Sequence, residues 1–327
     1  MFKPNPYLRS RKKFFKKMIS RRNIRVKVMQ LIYALEPAEE VNGRTDAIKT
    51  LKKQLDRSCE LFTYLLYFLT EVARYAEKDA QKRAIKNLPS SADLNVNTKI
   101  SGNELLWKIL ESPSFKQAVE SRAIEFDETK GQVKKVYQAM AASEFYQQYI
   151  KEQSREKNKE KDILAFIFTD LMLPDEDFIA HIEEHFTNWD DDADMMNQLM
   201  LNYVQKPLSF NLQEMVGTEK WTFARELLKT SIEKREYVTG LIKPKLKNWD
   251  AERIAQLDMI LMQMGVCELL YFETIPPKVT INEYIDIAKE YSTPQSGQFV
   301  NGILDNIHKE LLAEGKIHKV DFKQKTH

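Results

Sequence analysis

The chain is poor in the residues that break helices and turn a backbone sharply, with 9 glycines and 11 prolines in 327 residues. That shortage excludes a collagen-like repeat and leaves few of the turns a β sandwich requires. No glycine-rich phosphate loop or dinucleotide turn occurs, which removes the common nucleotide-binding enzymes. Cysteine is scarcer still: Cys59 and Cys267 stand far apart and give no disulfide framework, metal spacing or redox pair, as suits a reducing cytoplasm. The longest apolar run, Leu61 to Val72, is interrupted by Thr63 and Thr70 and is too short to span a bilayer. Arg and Lys occupy the stretch where a signal peptide would place its apolar core. Acid is missing in one place: none precedes Glu36.

Hydrophobic residues make up 43% of the chain, ample for a core, and charged residues 30%. With so little glycine and proline, this composition predicts a cytoplasmic, all-helical protein, long enough for two domains. The net charge of +2 hides an uneven distribution. Lys3, Arg9, Arg11, Lys12, Lys13, Lys16, Lys17, Arg21, Arg22, Arg25 and Lys27 crowd the start, interleaved with Tyr7, Phe14 and Phe15. Such an arm releases counterions from phosphates, and its rings can stack on unpaired bases. A solvated tail is the other reading; continuation of the charge into a helix favours binding.

That helix is expected over about Ser20 to Leu35, with Ile24, Val28, Leu31, Ile32 and Leu35 inward and Arg21, Arg22 and Arg25 opposite. A long helical region follows from about Thr45 to Asn87, as one helix or two. Shorter helices are expected near Asn103–Glu111, Ser114–Phe126, Thr129–Gln153, Glu160–Leu171, Pro174–Phe186 and Asp192–Tyr203. The helix Thr222–Lys247 should kink or end at Pro244, and Asp250 beside Trp249 is a candidate cap at the opening of the C-terminal bundle. An amphipathic segment over Asp258–Phe272 then turns Leu261, Met264, Gly265, Glu268 and Leu269 to one face.

Two helices close the folded region. The first opens after Pro276-Pro277 with Thr280 or Asn282 as cap, and Ile281, Tyr284, Ile285, Ala288 and Tyr291 as its buried stripe. The second starts near Ser296 and buries Phe299, Val300, Ile303, Leu304, Ile307 and Leu311. Gly302 lies inside it, where glycine costs about 1 kcal/mol against alanine, so a close approach to its backbone is expected. Lys316, His318, Lys319, Lys323 and Lys325 read as a mobile tail.

Some patterns tempt a chemical reading. His181 and His185 share a helix face, but Ile182 stands where a zinc protease needs Glu, and surface histidines are the expected outcome. Asp190 to Asp194 suggests a calcium loop, yet Met195 and Leu201 occupy its obligatory Gly and Glu positions, so a helix N-terminus fits better. Met195, Met196, Leu199 and Met200 read as core, and the charged run Gln153 to Asp162 as a solvated helix or linker. Glu268 and Glu283 read as salt-bridging or capping groups. No nucleophile, acid–base pair, metal cluster or cofactor loop converges, so the reading is a non-enzyme without metal or cofactor.

The words Pro277-Lys-Val-Thr-Ile-Asn-Glu283, Ile287-Ala-Lys289 and Phe299-Val-Asn-Gly-Ile-Leu-Asp305 closely resemble the C-terminal signature of the NusB family of bacterial antitermination factors. Phe223-Ala-Arg-Glu-Leu-Leu228 and Gly240-Leu-Ile-Lys-Pro-Lys-Leu246 resemble its preceding helix, so the likeness covers roughly Thr222 to Ile307. Ser20 to Tyr33 is similar to the family's arginine-rich first helix.

The resemblance implies an all-α fold of two small bundles, here with an inserted helical region. It divides the chain into a basic arm at 1–19, a first helix at 20–36, an insertion at 37–215, a NusB-like C-terminal region at 216–312 and a charged tail at 313–327. It implies an RNA-binding transcription antitermination or termination factor, binding single-stranded boxA-type RNA together with the ribosomal protein NusE in the transcription elongation complex, with no membrane partner. Carried over by position, the RNA contacts would be Arg21, Arg22, Arg25, Lys27, Gln30, Tyr33, Lys278, Phe299 and Asn301. Phe299 reads equally as a core aromatic. Met262-Gln263 and Gln295 depart from the family's usual Leu-Arg and acid. NusB-like domains also occur fused to ribosomal-RNA methyltransferases, but nothing here supplies the strands or glycines of that enzyme. The alternative is a helical scaffold with only non-specific RNA contact, or a self-associating one.

Overall fold

The computed structural model describes residues 19–35, 43–122, 130–246 and 255–320. Among these residues the regular structure is helical, with no strand. The basic residues Lys3 to Lys17, the Trp249-Asp250 cap and the tail residues Lys323 and Lys325 lie outside them. Two compact units form, one of Ile19 with Asp56–Val216, the other of Ser20–Leu55 with the residues from Gly217 on. In chain order the first helices are α1 (Arg21–Leu35) and α2 (Gly43–Ala84). Then come α3 (Ser91–Leu94), α4 (Glu104–Leu110), α5 (Pro113–Ser121), α6 (Lys130–Ala142), α7 (Glu144–Lys151), α8 (Lys157–Phe166), α9 (Glu176–His185) and α10 (Trp189–Gln205). The last are α11 (Thr218–Glu233), α12 (Arg235–Ile242), α13 (Gln256–Tyr271), α14 (Pro277–Tyr291) and α15 (Ser296–Ala313).

The unit of Asp56–Val216 is built on the part of α2 from Asp56 to Ala84. From Leu61 to Ala76 its apolar side chains are almost fully buried, Phe62 against Tyr203 and Phe210 and Phe68 against Phe178. Each such side chain contributes roughly 1.5–3 kcal/mol of burial. Short helices around it begin at capping residues the sequence supplies. Asn103 accepts from the amides of Leu105 and Leu106, Ser112 from Phe115, and Ser143 from Tyr146. Ser143 breaks the helix expected over Thr129–Gln153 into α6 and α7. Beyond α8 the chain continues as a wider π turn over Ile167–Met172.

The charged run Gln153–Asp162 is not simply solvated. Glu160 is 2% exposed, accepting from the Tyr149 hydroxyl at 2.7 Å and the Glu104 amide at 3.1 Å, so it closes the start of α4. Met195, Met196, Leu199 and Met200 are buried, as their spacing predicts. α10 starts before the expected Asp192, at Trp189, and its first turn carries Asp190, Asp191 and Asp192, where carboxylates suit the helix dipole.

In the other unit α13 is the central element. It is buried at every position from Ile260 to Leu269, so the one-faced helix expected there is apolar all round. It packs against α1, α11, α14 and α15. A Cβ at Gly265 would lie 2.9 Å from the Leu304 side chain and 3.4 Å from Tyr284, so this glycine lets α13, α14 and α15 close up. Gly302, expected to be the close approach, has no atom within 4 Å of such a Cβ and is exposed.

α14 begins at Pro277, a residue that needs no amide partner in a first turn, with Pro276 at the cap position. Thr280 is therefore not a cap; its hydroxyl is buried and directed elsewhere. The stripe of α14 is Thr280, Tyr284, Ile287 and Ala288, while Ile281, Ile285 and Tyr291 are only half-buried. α15 buries Phe299, Val300, Ile303, Leu304, Ile307 and Leu311 as expected. The helix expected over Thr222–Lys247 breaks at Lys234 into α11 and α12, and around Pro244 the chain tightens into a 3₁₀ turn at Lys243–Leu246.

The start of the expected mobile tail is tied down. Lys319 Nζ donates to the carbonyls of Glu268 at 3.0 Å and Phe272 at 2.8 Å, and the Val320 amide donates to Glu273 at 3.1 Å. The same two carbonyls also accept the amides of Phe272 and Ile275, so Lys319 adds a second donor to each at the C-terminus of α13.

Candidate nucleic-acid interface

α1 offers its apolar residues Ile24, Val28, Leu31 and Ile32 to the core, and its arginines divide between two surroundings. Arg25 is 2% exposed. Its Nε donates to Glu268 Oε2 at 2.8 Å and a terminal nitrogen donates to Oε1 at 2.7 Å, a bidentate pair with a carboxylate that is itself 0% exposed. Thr280 Oγ1 adds a third hydrogen bond to Glu268 at 2.8 Å and the Tyr284 hydroxyl a fourth at 3.3 Å. The rings of Phe223 and Tyr284 lie 5.3 and 5.8 Å from the guanidinium carbon. Burial works against the Arg25 charge, but the hydrogen bonds and charge of Glu268 outweigh it and raise its pKa. A buried carboxylate with four donors is fully satisfied, so Glu268 is a structural acceptor, as its salt-bridging reading holds.

Arg21 and Arg22 sit higher on the same helix. Arg21 pairs with Glu219 and lies 5.5 Å from the Phe223 ring. Arg22 reaches α14, donating to Asp286 at 3.2 Å and Glu290 at 3.0 Å. Burial opposes its charge, and Glu290 first, then Glu283 and Asp286, raise its pKa nonetheless. These pairs are exposed, and pairs of this kind contribute only about 0–1 kcal/mol.

Asp286 also forms one wall of an open groove of about 440 Å³ on α14 and α15, lined further by Asn282, Ile285, Lys289, Gln298 and Asn301. The stem of Lys289 lies over Gly297, where a Cβ would come within 2.6 Å of it. The structure thus brings Arg22 and Asn301 to one surface through Asp286. Tyr33, 49% exposed, half-buried Gln30 and exposed Lys278 do not line this groove. Lys27 and Phe299 are buried, at 5% and 7% exposure, Phe299 at a core position of α15.

Sequence reasoning missed Asp286 and Glu290 as neighbours of Arg22, and Lys289 as part of the groove. Their spacing along α14, on the side away from Tyr284 and Ala288, is the one signal that marks them as a shared outer face.

Elsewhere the tempting patterns resolve simply. His185 is exposed, while His181 is half-buried with Nε2 2.6 Å from the Tyr64 hydroxyl, and the two rings are 4.1 Å apart. Asp192 is 1% exposed and accepts from Ser58 and Asn188, each at 2.6 Å. Among the described residues no group of three metal-ligating side chains converges. No described helix is long and apolar enough to cross a membrane.

Residues 179–309 match the model of the NusB family. The transcription antitermination protein NusB of Salinibacter ruber is 43% identical over 97 residues, covering 30% of this chain and 61% of that protein. Its namesake in Chloroherpeton thalassium is 40% identical over 97 residues, 30% of this chain and 46% of that protein. The one in Finegoldia magna is 42% identical over 87 residues, 27% of this chain and 64% of that protein. The chain thus spans about half to two thirds of the length of these relatives. No solved structure matches it. Over residues 179–309 the chain is similar to the NusB family, and further helices precede the matched region.

Proposed function

We propose that this chain is a non-catalytic, RNA-binding factor of transcription antitermination or termination, acting in the cytoplasm. The observation that carries the reading is the family match over 179–309 together with relatives named transcription antitermination protein. Its RNA is single-stranded and boxA-like, bound together with NusE in the transcription elongation complex during ribosomal RNA synthesis. Arg21, Arg22, Gln30, Tyr33, Lys278 and Asn301 form the contact surface, half-buried or exposed on α1, α14 and α15. Arg25, Lys27 and Phe299 support that surface from beneath, being buried. RNA phosphates displace Asp286 and Glu290 from Arg22 at small cost, because exposed pairs are weak. The basic residues before Ser20 add sequence-independent affinity by counterion release, and base contacts supply selectivity.

One observation favours a second reading, a helical scaffold with only non-specific RNA contact: Arg21, Arg22 and Arg25 are all ion-paired to carboxylates of their own unit. Binding of a labelled boxA-like RNA against a scrambled one, with and without NusE and at two salt concentrations, separates the two. Selective binding that NusE strengthens supports antitermination. Equal, weak binding to both RNAs leaves the scaffold.

A further inference from the structure

The unit of Asp56–Val216 carries two features that the RNA reading leaves unused. The first is a knob. Where α2 ends, Ile85 is 81% exposed and Leu88 93% exposed, with Leu94 at 60% close behind. Large apolar side chains grouped in this way on a surface mark an interaction site. The loop that carries them is braced: Lys86 Nζ bonds Asp93 Oδ1 at 2.6 Å, and Ser90 and Asp93 form a reciprocal capping box. The Lys86 contact, then those of Ser90, holds the Asp93 carboxyl at about 2, so the brace persists over the neutral range. Leu88 is thus presented with much of its ordering cost already met. Lys82, Arg83 and Lys86 outnumber the acids beside the knob and leave its flank net basic, with Arg83 paired to Asp79 and Lys86 to Asp93.

The second feature is a socket on α9 and α10. Leu173, Pro174, Ile179 and Trp189 supply its apolar wall, and Glu176, Glu183 and Asp190 lie at its rim. Its volume is about 290 Å³. That is roughly twice the ~150 Å³ of a cavity able to hold benzene. None of the described residues that line it is basic.

We propose that the knob of one copy of this chain seats in the socket of another, Leu88 against Trp189 with the basic flank facing the acidic rim. Shape class and charge are both complementary: an exposed aliphatic side chain with lysines beside it meets an aliphatic and indole pocket with carboxylates beside it. Leu88 is 93% exposed within its own chain, so it stays available to a partner. Knob and socket are different patches, which makes the contact head-to-tail, and such contacts propagate unless a ring closes. The contact involves few side chains and stays well below the roughly 1,200 Å² of a stable interface, so the association is weak and rises with concentration. Its charge component weakens with salt. The inference is independent of the RNA reading, since neither feature includes α1, α14 or α15.

Sedimentation velocity of the full chain over a wide micromolar range tests it. The expected result is an average mass that climbs with concentration and climbs less at high salt. Leu88→Asp and Glu183→Lys should each remain monomeric. Mixed in equal amounts, the intact socket of the first and intact knob of the second should give a dimer that grows no further. Both substitutions are at exposed positions, so circular dichroism melts should match the parent chain; Ile85→Asp and Glu176→Lys replace any variant whose melt does not. A parent chain of constant monomer mass, self-association unaffected by either variant, or a mixture that stays monomeric overturns the proposal and assigns the socket to another partner.

Discussion

Arg25 and Glu268 are joined by two hydrogen bonds of 2.8 and 2.7 Å, with side chains 2% and 0% exposed. This pair fixes α1 to the central helix of its unit across more than two hundred residues of sequence. Thr280 and Tyr284 complete the carboxylate, and Phe223 faces the guanidinium, so α11 and α14 share the same polar core.

Removing one partner of a buried pair leaves an uncompensated charge, which costs about 3–5 kcal/mol. Arg25→Met and Glu268→Leu should therefore each lower stability by about that amount in urea unfolding. The double variant should lose less than the sum of the singles, because it buries no orphaned charge. Strictly additive losses would show that the two side chains act independently.

The two glycines of the C-terminal helices should respond with opposite sign. Gly265→Ala forces a methyl against Leu304 at 2.9 Å and should cost about 1–3 kcal/mol. Gly302→Ala meets nothing within 4 Å in an exposed helix position and should stabilise by up to ~1 kcal/mol. Thermal melts of the two variants decide it, and a destabilised Gly302→Ala chain would contradict the geometry.

Lys319 gives a pH signature. Burial pushes its ammonium down to about 8, against the opposing pull of Glu268 and Glu273. A base with a lowered folded-state pKa binds its proton less readily folded than unfolded. Between about 8 and the ordinary lysine value of 10.5 the unfolded chain therefore holds more protons, and this group's contribution to stability rises with pH. Lys319→Met removes the two carbonyl contacts and should cost about 1–2 kcal/mol near neutral pH. It should also flatten the rise above pH 8 relative to the parent chain. Parallel pH profiles for the two chains would show that Lys319 does not titrate in this window.

Much of this fold is legible in the sequence because its helices bury regular stripes. Phe299, Val300, Ile303, Leu304, Ile307 and Leu311 follow the helical period and are all buried. What sequence spacing does not carry is which group meets which. Arg22 and Arg25 look alike in the sequence, yet only a tertiary arrangement decides that one faces Asp286 and the other is enclosed with Glu268. Thr280 has the residue type of a cap, but Pro276 and Pro277 open the helix before it, leaving its hydroxyl for Glu268. Gly265 and Gly302 are equally unusual in helices, and the neighbour that requires glycine stands beside the first. Lys319 belongs to a charged stretch that composition assigns to solvent, and two carbonyls at the end of α13 hold it instead.

α1 separates its arginines: Arg25 is enclosed with Glu268, while Arg22 is paired at the surface, where the proposed RNA would meet it. The most direct test measures affinity for a boxA-like RNA and urea stability side by side for Arg22→Ala and Arg25→Ala. The expected result is that Arg22→Ala keeps the parent's stability within about 1 kcal/mol, as an exposed pair allows, while losing RNA affinity with a shallower salt dependence. Arg25→Ala should lose stability first and affinity only through the fold. An Arg22→Ala chain that binds the RNA as tightly as the parent at low and high salt would remove Arg22 from the proposed RNA surface.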